Sequence, residues 1–280
     1  MPTPTAPEQA PRPPILLLHG LAGFAQFGPL EYFAGIPDAL RADGWTVFTP
    51  EVDPLQSIEV RGAEVAVAID DALAQTGAAR VILIGHSQGG LDARYAISTL
   101  GYGDRVATLV TIGTPHHGSK VADLAVGLIP GDAGAASAAV VNALLGGAVG
   151  SPQDSAAAIL ELTQSHTDGT FNPANPDDPR VAYFSYAGST QPSDDVDTAT
   201  VDVVEPTLLA SWWIEKALEG DNDGIVSVTS ATWGTFLGTI PADHMNEINQ
   251  PVAAGAHPAF DGVAFYRRVA AFTENFAATP

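Results

Sequence analysis

The chain has 280 residues, of which 46% are hydrophobic, and it carries 32 acidic against 11 basic side chains, a formal net charge of −21. A chain of this length buries a large core by itself, and the absence of cysteine excludes a disulfide scaffold, a thiolate metal site and a cysteine nucleophile. The acidic balance argues against nucleic acid or an anionic membrane as a tightly held partner, and no run of about 20 strongly apolar residues predicts a membrane span. Residues 1–13, rich in Pro, Ala and Thr, lack the apolar core of a signal peptide, and we predict a disordered lead-in there.

From residue 14 onward, short apolar runs alternate with helical patterns. The apolar runs predict strands over 15–18, 45–49, 80–84 and 106–112. Apolar residues at helical spacing predict helices over 29–41, 58–75 and 88–100. Strands of this kind, alternating with helices, are typical of a parallel sheet covered on both faces. The first half of the chain is therefore predicted to have an α/β fold.

A long irregular stretch follows the fourth predicted strand. From 119 to about 165 the sequence consists largely of Ala-rich amphipathic segments interrupted by Pro-Gly and Gly-Gly pairs. Because connections in compact domains are usually about 4 to 6 residues long, this stretch predicts an inserted lid or cap. Beyond it we predict a strand over 181–187 and helices over 206–218 and 263–276. Residues 14–280 are thus predicted to form a single domain with a cap at about 119–165.

The strongest chemical signal is the pentapeptide GHSQG at residues 85–89, which lies between a predicted strand and a predicted helix. This is a G-x-S-x-G pattern in the strand–turn–helix context of a nucleophile elbow. The sharp turn leaves no room for flanking side chains, which accounts for the two glycines. We therefore predict that Ser87 is a nucleophile that projects above the carboxyl edge of the sheet.

A serine nucleophile needs a histidine that takes its proton. In folds with this elbow, the order along the chain is serine, acid, histidine. His244 lies in a loop after the best acid candidates, and His257 is the alternative closer to the terminal helix. The other five histidines lie in loops after early strands, in the elbow itself or in the predicted cap. We predict that His244 is the base.

The histidine in turn needs a carboxylate that orients it. Asp223 lies in the turn-rich stretch DNDG at 221–224, just before an apolar run. An ordinary Asp-Gly turn would also explain that pattern, and Asp221 is the rival two residues away. Asp243 is adjacent to His244 and cannot readily reach its ring nitrogen. We predict that Asp223 is the acid.

The first predicted strand ends in HGLAG at 19–23. An α/β-hydrolase supplies one oxyanion-hole amide at this place, and the second comes from the residue after the nucleophile. We therefore assign the two donors to the backbone N–H groups of Leu21 and Gln88.

These residues belong to longer motifs that occur in order along most of the chain. The motifs are LLLHGLAGF at 16–24, YFAGIPDAL at 32–40, IGHSQGG at 84–90, TIGTPHHGS at 111–119, SPQDSAAAILELT at 151–163, NDGIVS at 222–227 and DHMNEINQ at 243–250. Together they resemble the bacterial true lipases of the Pseudomonas/Burkholderia/Proteus group. In its lack of cysteine, the chain is more similar to the Proteus-like branch than to members that carry a disulfide.

The resemblance implies an α/β-hydrolase fold, with a mostly parallel central sheet, helices on both faces and an inserted helical lid over an apolar acyl pocket. It places the triad on Ser87, Asp223 and His244, in agreement with the interpretation from the residues.

The resemblance also implies a structural calcium that braces the histidine loop. Its ligands would be Glu205, Asn246 and the backbone carbonyls of Gln250 and Ala254. The family has Asp at the first two positions, and an amide at 246 removes a negative charge that a calcium site favours. The alternative is that Glu205 caps a helix and Asn246 makes loop hydrogen bonds. No organic cofactor is expected.

We therefore expect a carboxylic-ester hydrolase, most specifically a triacylglycerol lipase that acts on long-chain acylglycerols at an oil–water interface. By resemblance the protein is expected to be secreted, and we expect a monomer. One alternative is an esterase or polyester depolymerase that acts on soluble or polymeric esters. A more remote alternative is a non-catalytic binding protein with a hydrolase fold.

Overall fold

The computed structural model describes residues 11–23, 26–27, 30–127, 152–192, 204, 206–250 and 260–277. Some predictions concern residues outside these ranges. They are the lead-in up to residue 10, the middle of the cap from 128 to 151, Glu205, Ala254 and His257. Within the described ranges, no helix combines the length and the apolar character needed to cross a membrane.

A six-stranded parallel sheet forms the centre of the fold. Its strands are β1 (Ile15–Leu18), β4 (Val47–Phe48), β5 (Val81–His86), β6 (Val106–Ile112), β7 (Ala182–Gly188) and β8 (Thr235–Ile240). They lie side by side in the order β4-β1-β5-β6-β7-β8. Two further strands, β2 (Gln26–Phe27) and β3 (Leu30–Glu31), form a small antiparallel pair. The reversal of strand order beside β1 places the carboxyl ends of β1 and β5 next to each other.

Helices connect the strands. They are α1 (Ile36–Ala42), α2 (Ile58–Thr76), α3 (Gln88–Ser98), α4 (Lys120–Ala125), α5 (Pro152–Glu161), α6 (Gln164–His166), α7 (Asn172–Ala174), α8 (Leu209–Leu218), α9 (Val228–Ala231) and α10 (Gly262–Ala277). The longest, α2, begins where Ser57 Oγ accepts a hydrogen bond from Val60 N–H, and ends at Gly77 in a left-handed conformation. These are common signals for the start and end of a helix.

The two faces of the sheet are buried by different helices. Along β1, Ile15 and Leu17 pack in the cluster that contains residues of α1 and α10, whereas Leu16 and Leu18 pack in the cluster of α2 and α3. All four side chains are at most 2% exposed. Successive strand residues point to opposite faces, so a run of four apolar residues is what a doubly covered strand requires. The predicted α/β-hydrolase fold, with helices on both faces, is confirmed.

The structure differs most from the sequence-based elements at two places. The helix predicted from residue 29 begins only at Ile36, because residues 30–31 pair in β3 and Gly35 takes a left-handed conformation just before the helix. Strand β8 was not predicted. Most of its residues are exposed or half-buried, and Gly238 interrupts it with φ 118°, so it lacks the apolar run that marks the inner strands.

The connection from β6 to β7 contains α4 and α5, which lie at the two ends of the predicted cap. Because residues 128–151 lie outside the described ranges, the lid stays a prediction.

Candidate active site

Ser87 occupies the sharp turn between β5 and α3. Its backbone has φ 54° and ψ −132°, a conformation that is costly for a non-glycine residue and is often found at functional sites. A Cβ on Gly89 would lie 2.5 Å from the Leu18 carbonyl oxygen, and a Cβ on Gly85 would lie 2.7 Å from Gly90 N. The two flanking glycines are therefore required by the close approach of backbone to backbone.

Asp223 and His244 are in direct contact. His244 Nδ1 lies 2.7 Å from Asp223 Oδ2, and both side chains are buried. The other carboxylate oxygen of Asp223 accepts hydrogen bonds from the N–H groups of Ile225 (2.8 Å) and Val226 (2.7 Å). His244 N–H donates to the Asp223 carbonyl at 2.9 Å. The turn that follows Asp223 thus holds the carboxylate in the orientation that fits the imidazole.

The rival acids have other partners. Asp221 is largely exposed and forms a 2.6 Å ion pair with Lys216. Asp243 uses one carboxylate oxygen to accept hydrogen bonds from the N–H groups of Met245 and Asn246. Of the acids weighed, Asp223 is the one that the structure places on the His244 ring nitrogen.

The segments that carry Ser87 and His244 come together at the carboxyl ends of β1 and β5. The ring of His86, next to Ser87 in the chain, lies 4.5 Å from the His244 ring, centroid to centroid. Gly20 lies so close to the elbow that a Cβ there would be 2.6 Å from Ser87 Cβ. The turn after β1, the elbow and the histidine loop therefore meet at one place.

The predicted oxyanion donors are the backbone N–H groups of Leu21 and Gln88. Leu21 follows Gly20 in the turn after β1, and Gln88 is the first residue of α3. Within the described part of the chain, neither backbone N–H donates to a protein acceptor. Both amides are thus free to receive a ligand oxygen near Ser87.

Sequence reasoning missed a chain of polar side chains behind the histidine, which runs from the half-buried Tyr32 to the buried His86 and Glu247. Tyr32 Oη lies 2.8 Å from His86 Nδ1, and His86 Nε2 lies 2.9 Å from Glu247 Oε2, which is 3.6 Å from His244 Nδ1. Burial, with His244 nearby, lowers the pKa of His86 well below its ordinary value. Burial, with Asp223 nearby, raises the pKa of Glu247 well above its ordinary value. Both shifts reduce the charge buried around His244.

A signal for Glu247 was present in the sequence, since it follows His244 by three residues, and residues at that spacing can face each other. Among the described residues, His86, His244 and Glu247 are also the group whose donor atoms lie close enough together, within 4.8 Å, to hold a metal ion. Those atoms already contact one another or Asp223, so we assign no metal there.

The predicted calcium ligands are described only in part. Asn246 is buried, and its N–H donates to Asp243 Oδ1 at 2.8 Å. The side chain of Gln250 donates to the carbonyl oxygens of Glu31 and Tyr32, both at 2.7 Å. These two residues would offer only neutral oxygens, so the charge of a calcium site would have to come from Glu205, outside the described residues.

Residues 13–154 match the family described as alpha/beta hydrolase fold. A triacylglycerol lipase of Vibrio cholerae serotype O1 is 35% identical, over 92% of this chain and 86% of its own length. A triacylglycerol lipase of Burkholderia plantarii is 32% identical, over 92% of this chain and 85% of its own length. Among solved structures, the mature lipase BlEst2 of Bacillus licheniformis superposes with a TM-score of 0.71 at 21% identity, covering 97% of this chain and 96% of that chain.

The parallel sheet and the serine in its strained turn define the class of an α/β hydrolase. The chain belongs to the alpha/beta hydrolase family. Within that family it is a serine ester hydrolase, similar over most of its length to bacterial enzymes named triacylglycerol lipase.

Proposed function

We propose that this protein is a triacylglycerol lipase that hydrolyses long-chain acylglycerols through Ser87, His244 and Asp223. The observation that carries the proposal is the buried 2.7 Å contact between His244 Nδ1 and Asp223 Oδ2 beside the serine elbow. A carboxylate at Nδ1 holds the imidazole with Nε2 available as a base. The substrate class is supported by the relatives named triacylglycerol lipase.

In this mechanism, His244 Nε2 takes the proton of Ser87 as its oxygen attacks the ester carbonyl. Asp223 stabilises the imidazolium that forms, without taking the proton. Collapse of the tetrahedral intermediate releases the alcohol with the proton from His244 and leaves an acyl group on Ser87. Water then attacks the acyl-enzyme by the same steps and releases the fatty acid.

The carbonyl oxygen becomes negatively charged in each tetrahedral intermediate, and the N–H groups of Leu21 and Gln88 would hold it. A preorganised donor of this kind is typically worth about 3 to 4 kcal/mol of transition-state stabilisation. The buried setting strengthens the effect, since water does not compete for the oxyanion.

Five finer features belong to the same proposal. A calcium ion would be held by Glu205, Asn246 and the carbonyls of Gln250 and Ala254, and would brace the histidine loop without taking part in the chemistry. The segment at about 119–165 would form the lid. The protein would be secreted and monomeric, and nearest to the cysteine-free Proteus-like branch of the bacterial lipases.

Replacement of the nucleophile tests the chemistry. We expect Ser87→Ala to abolish hydrolysis of p-nitrophenyl butyrate, a loss on the order of a millionfold in kcat, while the thermal midpoint stays near that of the wild type. Ser98→Ala, which removes a hydroxyl at the far end of α3 that donates to the Pro176 carbonyl, is the matched control and should keep full activity. Retained turnover in Ser87→Ala would overturn the assignment of the nucleophile.

Activity against substrate concentration tests the substrate class. A lipase with a lid should hydrolyse tributyrin much faster once the ester exceeds its solubility and forms an interface, and should act on emulsified triolein. Equal specific activity below and above that limit, with no activity on triolein, would favour the esterase alternative.

A further inference from the structure

Arg61 is a charged side chain in the core. It lies on α2 with none of its surface exposed, in the register of the buried residues Ile58 and Val65. Its guanidinium donates from Nε to Asp92 Oδ2 (2.8 Å) and from Nη1 to the Asp53 carbonyl (2.8 Å).

The remaining nitrogen of Arg61 reaches the turn after β1. Nη2 donates to the carbonyl oxygen of His19 at 2.8 Å and lies 3.3 Å from that of Gly20. In a trans peptide unit, the C=O of one residue and the N–H of the next point in opposite directions in one plane. The Gly20 carbonyl oxygen also lies 3.0 Å from His19 Nδ1 and accepts from the Gly23 N–H at 3.2 Å, so Arg61 acts with these two groups. Together they fix the direction of the Leu21 N–H, on the opposite side of the peptide plane.

Asp92 connects this contact to the second donor. It lies on α3 one turn after Gln88, is fully buried, and forms an ion pair with Arg61 at 2.8 Å. The helix whose first residue supplies the Gln88 N–H is thereby tied to the turn that supplies the Leu21 N–H. The two amides come from segments far apart in the chain, and the Arg61–Asp92 pair bridges them through side chains.

A contribution to folding stability does not by itself explain why a buried Arg61–Asp92 ion pair is present. Removing two charges from water costs several kcal/mol per ion, and replacing a buried ion pair with apolar side chains often leaves a protein equally stable. Burial raises the pKa of Asp92 to about 7 despite the nearby guanidinium, which shows that burying the ionised carboxylate is unfavourable. The geometric consequence is the orientation of the Gly20–Leu21 peptide.

We propose that Arg61 and Asp92 are positioning residues that set the geometry of the oxyanion hole by clamping the Gly20 carbonyl to α3. The inference rests on the proposed function, because it presumes that the Leu21 and Gln88 amides bind the oxyanion. Neither side chain touches substrate. Their loss should weaken binding of the transition state far more than binding of the ester.

The central test is Arg61→Lys, assayed on soluble p-nitrophenyl butyrate and normalised by active-site titration. One ammonium group cannot serve both the carbonyls and Asp92 in the guanidinium geometry. Since a misplacement of about 1 Å can cost 100-fold in rate, we expect kcat to fall about 10- to 100-fold with KM within about twofold of the wild type. An alkylboronic acid, whose adduct with Ser87 carries an oxyanion, should bind more weakly by a similar factor.

Arg94→Lys is the matched control. Arg94 is also a buried arginine, on α3 itself, but it donates to Asn172 and Asn175 and stacks on Trp233. A merely structural role would lower the thermal midpoint of both variants alike and leave kcat per titrated site unchanged. We expect Arg94→Lys to lose stability while its kcat and boronate affinity stay within about twofold of the wild type.

Asp92→Asn provides a second route if Arg61→Lys does not fold, since the amide fills nearly the same volume but removes the negative charge that holds the guanidinium. It should show the same split, with kcat and boronate affinity reduced together. Wild-type kcat and boronate affinity in both clamp variants, or equal kcat losses in Arg94→Lys, would overturn the inference. Ser87→Ala separates the two claims: if it stays active, the proposed function fails, whereas an inactive Ser87→Ala beside two fully active clamp variants refutes the clamp alone.

Discussion

Glu215 is a carboxyl group with no exposed surface, on α8. It accepts a hydrogen bond from Ser119 Oγ (3.0 Å), the residue that caps α4, and another from the N–H of Val121 (3.1 Å), which lies in the first turn of α4. Burial raises its pKa from the usual 4.5 to about 8, and the carboxylates of Glu219 and Asp223 contribute further. Glu215 therefore anchors α4, the first helix of the predicted cap. Its ionisation lowers the stability of the folded state.

The sign of that effect determines how stability changes with pH. The folded pKa lies above the unfolded one, so the folded state binds the proton more tightly, and stability falls as pH rises from about 4.5 to about 8. Glu215→Gln keeps the acceptor oxygen and cannot ionise. We expect it to raise the thermal midpoint at pH 8 by about 2 °C or more and to flatten the dependence of that midpoint on pH between 5 and 8.

Thermal melts of wild type and variant across this pH range measure the effect. Glu59→Gln, which removes an exposed carboxylate from α2, should leave the pH profile unchanged. A Glu215→Gln profile parallel to that of the wild type would show that Glu215 does not titrate in this window.

At the scale of elements, the sequence predicts helices and strands best where an unbroken apolar pattern marks the buried face or faces of the element. β1, β5 and β6 are entirely buried and were found within one or two residues, and α2 was found because its apolar register ends at a glycine. β8 was missed because it lies at the sheet edge and its pairing with β7 is set by tertiary contact. Local pattern carries no information about such an edge.

The site divides in the same way. Ser87 was predicted from a local turn, and the fold's chain order then led to Asp223 and His244. Arg61 and Glu247 were missed because their partners lie far away in sequence: Glu247 pairs with a histidine 161 residues earlier. A charged residue in an apolar helical register, as at Arg61, is the signal that could have shown a buried polar contact.

The loop between β8 and α10 carries His244 and the described half of the predicted calcium set. We expect chelation with EGTA to lower the thermal midpoint and the activity, and added Ca²⁺ but not Mg²⁺ to restore both, because Ca²⁺ accepts more oxygen ligands in a flexible geometry. Asn246→Asp adds a negative ligand and should tighten calcium binding, whereas Glu205→Gln should weaken it. Isothermal titration gives the affinities, and no calcium response in either the wild type or Asn246→Asp would refute the site.

At the scale of the whole molecule, the charge of −21 is the feature that neither the fold nor the site explains. A net charge far from zero disperses a protein and sets a field that extends about one Debye length, near 30 Å at 0.01 M salt and 10 Å at 0.1 M. The proposed reaction releases a fatty acid, which is anionic at neutral pH. An acidic surface would tend to repel this product from the mouth of the site and so reduce product inhibition.

Inhibition by decanoate, kept below its micelle concentration, tests this electrostatic expulsion. Raising NaCl from about 0.01 M to 0.5 M shortens the Debye length to a few ångström, so decanoate should inhibit hydrolysis of p-nitrophenyl butyrate several-fold more strongly at high salt. 1-Decanol has a chain of the same length and no charge, and its inhibition should change only by the salting-out shared by both ligands. If the ratio of the two inhibition constants did not change with salt, the acidity of the chain would need a reason other than product release.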